Sequence, residues 1–184
     1  MTKDSTERRA PHTASASSHF DSYLMDSFGR NLLKELQTNS RLSTAELARR
    51  VGLSPTATAE RMKQMEEQGI VRAYTVEMDR EALGLEVMAF VRMTCEGQHY
   101  YRLLEFIQGL EEVRECHHLT GGDAFLLKVT TTSMSGLEAL IEVLLPYGNP
   151  VTSLVLSTPI ERRPYNVTGK LTSVTRKQRP ALRR

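Results

Sequence analysis

Residues 54–63 open with Ser54-Pro55-Thr56 and run on through Thr58 to Arg61 and Lys63, with Arg49 five positions ahead. Short polar side chains and cations gathered where Ser-Pro marks a helix start are suited to gripping phosphates and base edges. The free N–H groups of a first helical turn attract anions, hydroxyls donate and accept, and guanidinium or ammonium groups neutralise charge. A second group, Leu119-Thr120-Gly121-Gly122-Asp123, reads first as a β-turn between two strands. It also suits a ligand site, because glycines allow close backbone approach and Asp123 offers a carboxylate to an ammonium group. A third group, Cys116-His117-His118 with Cys95, raises the question of a metal. Consecutive strand residues point to opposite faces, so His117 and His118 cannot readily share one ion, and we read them as structural. No metal or other cofactor is expected. No Ser-His-Asp, phosphate-loop or dinucleotide pattern is present, so the chain is not read as an enzyme.

The elements that position the first group are helices. Met25, Phe28, Leu32 and Leu36 recur at steps of three and four and lie on one helical face. Ser43-Thr44-Ala45-Glu46 has the capping-box spacing, in which the Ser side chain takes one free N–H and the Glu returns to another. Leu47, Ala48 and Val51 give the second helix its apolar face, and Gly52 ends it. The third helix starts at Ser54-Pro55, carries Thr58, Met62 and Met65 on one face, and closes at Gly69. Two helices joined by a few residues around Gly52 and Leu53 make a helix-turn-helix. With that unit around them, Arg49, Ser54, Pro55, Thr56, Thr58, Arg61 and Lys63 are the residues expected to contact double-stranded DNA. Residues 70–78 alternate and are rich in β-branched types, which predicts a strand acting as wing or linker.

From residue 85 the rhythm changes. Strands are predicted at 85–95, 113–120, 124–131 and 151–157, and helices through Tyr100–Ile107 and Met134–Leu144. The order β-α-β-β-α-β is the ferredoxin-like split motif, so the fold class is α+β. The expected divisions are a disordered extension at 1–22, a winged helix-turn-helix at 23–78, a linker at 79–84, a ferredoxin-like domain at 85–158 and a basic tail at 159–184. Two helices cover one face of a four-stranded sheet. Met88, Phe90, Leu126, Leu154 and Leu156 are read as a second apolar face, best covered by another copy of the same sheet; the alternative is the N-terminal domain folding over it.

Composition limits the classes further. The chain has 184 residues, 40% of them apolar and 25% charged, which is the mix of a globular protein. No apolar run approaches the ~20 residues of a membrane span, and the N-terminus lacks the apolar core of a secretory signal. Two cysteines suit a reducing, cytoplasmic setting. The net charge of +2 is unevenly spread: residues 24–79 are neutral, 80–160 carry −5 and 161–184 carry +7. The middle is a poor polyanion binder and the tail a plausible one.

Arg30-Asn31-Leu32-Leu33, Arg41-Leu42-Ser43, the run Glu46–Thr56, Glu60-Arg61, Gly69-Ile70-Val71 with Tyr74, Glu115-Cys116-His117, and Thr120-Gly121 followed by Phe125–Lys128 resemble the leucine-responsive/AsnC family of transcription regulators. The likeness spans about residues 25–157 and is most specific over Glu46–Arg61. It implies a winged helix-turn-helix joined to a ferredoxin-like ligand domain. It also implies a homodimer, with higher rings of dimers in many members, and a small-molecule effector, commonly an amino acid, held between subunits at Leu119, Thr120, Gly121, Gly122 and Asp123. Two positions depart from the family pattern: Gly29 stands where an acidic residue is usual, and Ala124 where the glycine turn usually has Asp. Siroheme decarboxylases share this architecture, but a tetrapyrrole pocket needs His or Arg with converging aromatic residues, and no such set is visible. An architectural DNA-compacting protein is a third possibility, motivated by the basic tail.

Overall fold

The computed structural model describes residues 24–122 and 124–168. They form two compact units, 24–75 together with 162–168, and 76–161. The predicted disorder at 1–22 and most of the basic tail lie outside the described residues.

In the first unit, α1 (Ser27–Thr38), α2 (Thr44–Val51) and α3 (Pro55–Glu67) each start on a side chain that caps a free backbone N–H. Asp26 accepts from the Gly29 N–H at 2.8 Å, Ser43 from Glu46 at 3.2 Å and Ser54 from Ala57 at 3.2 Å. Gly52 ends α2 with φ 76°, the left-handed conformation that favours glycine. Only half of the predicted capping box forms. The Glu46 carboxylate turns instead to Arg49, at 2.7 and 2.9 Å, and to Arg50, at 2.8 Å. Those hydrogen bonds, Arg49 first, pull its pKa down to about 2. Leu24, Leu32, Leu47 and Met65 are fully buried where the three helices meet.

The strand predicted over 70–78 is not formed. A strand requires a ladder partner, and among the described residues none pairs with this segment. It runs as irregular chain, with Val76 84% exposed and Met78 also exposed. Residues 79–84 make a turn: Asp79 Oδ1 accepts from the N–H groups of Glu81 and Ala82, and Gly84 adopts φ 76°.

The second unit contains β1 (Val87–Thr94), α4 (Tyr100–Gln108), β2 (Val113–His118), β3 (Phe125–Thr131), α5 (Met134–Leu144), a 3₁₀ turn at Leu145–Tyr147 and β4 (Asn149–Leu154). All three strand pairings are antiparallel, in the order β2-β3-β1-β4. Ala89, Val91 and Met93 meet Phe125, Leu127 and Val129 across the central pair and are buried against Leu103 and Ile107 of α4 and Leu137, Leu140 and Leu144 of α5.

The register corrects the predicted second face. Leu154 pairs with Ala89 and Val151 with Arg92. Directly opposed residues share a face, so Leu154 belongs to the helix-covered side. Leu156 lies beyond β4 and is exposed. The open face instead presents Phe90, Leu126 and Val151, with Met88 on the same side but buried, bordered by a polar group. There Glu115 accepts from Lys128 at 3.1 Å and meets His117 at 3.0 Å, and those contacts, Lys128 first, hold the Glu115 carboxyl below its usual range.

Candidate nucleic-acid interface and ligand loop

The inner face of α3 is Thr58, Arg61 and Met65, spaced by three and four residues and all buried. The Thr58 hydroxyl donates to the Ser54 carbonyl at 3.0 Å. Arg61 is 4% exposed, and its guanidinium donates two bonds to Asp26, Nη1 to Oδ1 at 2.9 Å and Nη2 to Oδ2 at 2.8 Å. Its carbon Cζ also lies 5.9 Å from the centre of the Phe28 ring, within reach of a cation–π contact. Asp26 is therefore both the cap of α1 and the anchor of α3. Burial alone would raise its carboxyl pKa. The Arg61 hydrogen bonds, with N–H donors from Gly29 and Phe28, outweigh that and hold it below 3.8.

This geometry corrects two expected DNA contacts. Arg61 ties the third helix to the first and is turned away from solvent, so it is not placed to meet a phosphate or a base. Thr58 is closed off in the same way. Ser54, Pro55 and Thr56 remain exposed at the helix start, although the Ser54 hydroxyl is engaged as the cap. The Lys63 side chain is 68% exposed, with only a 3.8 Å approach to Glu67, and that of Arg49 is 73% exposed beside Glu46. The exposed groups thus form the N-terminal end and outer side of α3 plus the last turn of α2. Asp26 escaped the sequence reading, although an Asp directly before a helical pattern is the ordinary N-cap signal.

The second candidate group is a hairpin turn. The Leu119 N–H donates to the Ala124 carbonyl at 3.1 Å, and the Ala124 N–H to that of Met93 at 2.7 Å. Gly121 has φ 106°, which requires glycine. Leu119 is half-buried, while Thr120, Gly121 and Gly122 are exposed; Asp123 lies outside the described residues. Below the turn the rings of Tyr100 and Phe125 stack at 4.9 Å, with His118 edge-on to Tyr100. The turn lines neither described cleft. One, of ≈ 450 Å³, lies between Thr94–Glu96, His99 and Leu145–Gly148; the other, of ≈ 200 Å³, lies between α4 and β2. Among the described residues no group of three or more His, Cys, Asp or Glu is placed to hold a metal ion, and no helix is long and apolar enough to cross a membrane.

A helix-turn-helix with a solvent-facing third helix, followed by a βαββαβ sheet unit, defines a class: DNA-binding regulators that carry a separate ligand module. The family model "winged helix-turn-helix DNA-binding" matches residues 25–72, and "Lrp/AsnC ligand binding domain" matches 88–165. The chain belongs to the Lrp/AsnC family of transcriptional regulators. It is 35% identical to the HTH-type transcriptional regulator LrpC of Bacillus subtilis over 133 residues, 72% of this chain and 92% of that one. It is 37% identical to the leucine-responsive regulatory protein of Escherichia coli K12 over 120 residues, 64% of this chain and 73% of that protein. The solved LrpC structure superposes with TM-score 0.71 at 34% identity, covering 74% of this chain and 98% of LrpC. A Neisseria meningitidis regulator in complex with L-methionine gives 0.73 at 29% identity, covering 78% and 97%. A feast or famine regulatory protein of Mycobacterium tuberculosis complexed with L-methionine gives 0.69 at 30%, covering 77% and 98%. The decarboxylase and DNA-compacting alternatives draw no support from these relatives.

Proposed function

We propose that this regulator grips double-stranded DNA with the exposed start of α3. Pro55 and Thr56 approach base edges in the major groove, and Ser54 contributes its backbone. Arg49 and Lys63 lie on the flanking phosphates. The observation that carries this reading is the division of α3: its inner face is locked by Asp26–Arg61, and its start is left to solvent. A phosphate contact contributes to affinity without choosing sequence. Arg49→Ala and Lys63→Ala are therefore each expected to weaken operator and non-operator binding alike and to lower the slope of log affinity against log salt by about 1. Titrating a genomically mapped operator at several salt concentrations measures this. Unchanged affinity and slope in both variants would remove these residues from the interface.

The second unit, in the same proposal, makes a homodimer through its open sheet face and binds an amino acid beside Leu119–Gly122 and Asp123 at a subunit boundary. The two relatives holding L-methionine make that amino acid the first to test by calorimetry. A ligand that changes DNA affinity must bind the two states unequally, so the coupling is measurable from either side. The apolar centre of the open face supports the dimer. Phe90→Glu would place an unpaired carboxylate there, at a cost of several kcal/mol if the face is covered. Sedimentation should show a dimer for wild type and a monomer for this variant. A monomeric wild type at micromolar concentration would overturn the dimer reading.

A further inference from the structure

From sequence, residues 159–184 are expected to be a tail beyond the second domain, yet the chain returns to the helical unit at 162. The Gln37 side chain on α1 clasps the backbone of Tyr165: Oε1 accepts its N–H at 2.7 Å, and Nε2 donates to its carbonyl at 3.2 Å. Two residues on, Val167 is half-buried against the core of the three helices. Residues 162–168, Arg-Arg-Pro-Tyr-Asn-Val-Thr, are thus a strap on that unit. Pro164 has its φ fixed by its ring and holds Arg163 before it to extended backbone. Three residues span at most about 10 Å, so the backbones of Arg162 and Arg163 stay within about that distance of the clasped Tyr165. Both arginines are exposed, and neither is ion-paired among the described residues.

The charge of the two units gives these arginines a partner. Residues 76–161 carry five Lys or Arg against thirteen Asp or Glu, net −8, which repels a polyanion. Residues 24–75 carry eight against six, net +2. Three of those eight cations are already paired within the unit, Arg61 with Asp26 and both Arg49 and Arg50 with Glu46. Arg162 and Arg163 bring no carboxylate with them and raise the described helical unit to +4. Their place suits the same partner. Gln37 stands in the last turn of α1, and residues 39–43 lead from there to the start of α2. In a helix-turn-helix pair the first helix, here α2, is the one that crosses the DNA backbone. We propose that the strap is a second DNA contact, in which Arg162 and Arg163 lie on phosphates flanking the groove that α3 enters. A guanidinium matches phosphate in charge and in fork geometry. Neighbouring residues of an extended chain point apart, so the two arginines take different phosphates. A strap already pinned to the helices loses less freedom on binding than a loose chain would. The contact adds affinity and leaves the choice of sequence to α3. This inference rests on the DNA-binding reading of α3.

The test uses the full chain and three variants: Arg162→Gln with Arg163→Gln, Arg162→Lys with Arg163→Lys, and Gln37→Ala with Val167→Asn, which keeps both arginines but releases the strap. An operator and a non-operator duplex of equal length are titrated from 0.05 to 0.2 M salt. Each engaged arginine contributes about 0.9 to the slope of log affinity against log salt, so the Gln pair is expected to lower it by about 1–2. Binding to both duplexes at low salt weakens by a similar factor, and their ratio stays unchanged. The Lys pair keeps the charge and is expected to keep the slope, while releasing the strap gives a partial loss. An unchanged slope in the Gln pair, or a loss confined to the operator, overturns the proposal. A Lys pair as weak as the Gln pair overturns the role of charge, and a released strap equal to wild type overturns the anchoring. Circular dichroism checks that each protein is folded, and the arginine pairs decide the proposal if releasing the strap loosens the helices. Failure of the α3 reading looks different: Arg49→Ala and Lys63→Ala then have no effect, while the Gln pair still loses slope.

Discussion

Asp26→Ala is expected to destabilise the helical unit by about 3 kcal/mol or more, a large fraction of the usual margin of about 5–15 kcal/mol. The change removes the cap of α1 and leaves the buried Arg61 guanidinium without its bidentate partner. A lost N-cap alone costs about 1 kcal/mol; the remainder is the penalty of a buried guanidinium stripped of its bidentate carboxylate, placed at the low end of its range because the Asp26 carboxylate itself reaches solvent. Arg61→Ala should do comparable damage, and the double variant should be milder than the sum of the singles. Urea unfolding followed by circular dichroism measures all three. Losses below 1 kcal/mol for both singles would show that the pair anchors nothing. The same pair sets an acid limit. The folded Asp26 pKa is lowered, so its contribution is complete above the unfolded value of 3.8 and disappears as pH falls through the lower folded value. A loss of operator binding by Arg61→Ala would then reflect a displaced α3 and not a missing contact.

Gly29→Ala tests two opposing effects. Helix propensity alone says that Ala gains about 1 kcal/mol over Gly inside a helix. Packing says the reverse. A Cβ at residue 29 would lie 1.8 Å from the Leu24 carbonyl oxygen, 2.7 Å from its carbon and 3.2 Å from the Met65 methyl group. Leu24 and Met65 are both fully buried, so neither can step aside without disturbing the core. Overpacking of this kind costs ~1–3 kcal/mol where neighbours can relax, and here the obstacle is backbone. We expect a net loss of at least 2 kcal/mol and a lower melting temperature. A stabilised Gly29→Ala protein would mean that the approach of Leu24 to α1 is not as described.

The local parts of the fold were readable because their signals are local. Ser43, Ser54-Pro55 and Gly52 mark helix ends by short-range chemistry, and alternation in 87–94 and 125–131 places the sheet core. What was missed depends on partners distant in sequence. Arg61 sits three residues after Thr58 and four before Met65, a spacing that assigns it to the inner face. Its charge argued for the outside, and the bidentate bond to Asp26, 35 residues earlier, makes burial tolerable. The face of Leu154 depends on register with β1, which alternation within one strand cannot fix. The 70–78 segment has strand composition without a neighbour to complete a ladder. For the loop at 119–122, Gly121 signals a turn as readily as a pocket, and its φ of 106° satisfies the turn.

The clasp between Gln37 and Tyr165 joins positions 128 residues apart, and this bears on how the chain is made. A ribosome releases the three helices well before residues 162–168. The helices must therefore hold together through synthesis of the entire sheet unit before Val167 can reach their core. Residues 162–168 settle after the helices and, held by two exposed hydrogen bonds and one half-buried valine, lift before them. The strap's amides should exchange with solvent deuterium well before those of α1 beneath it.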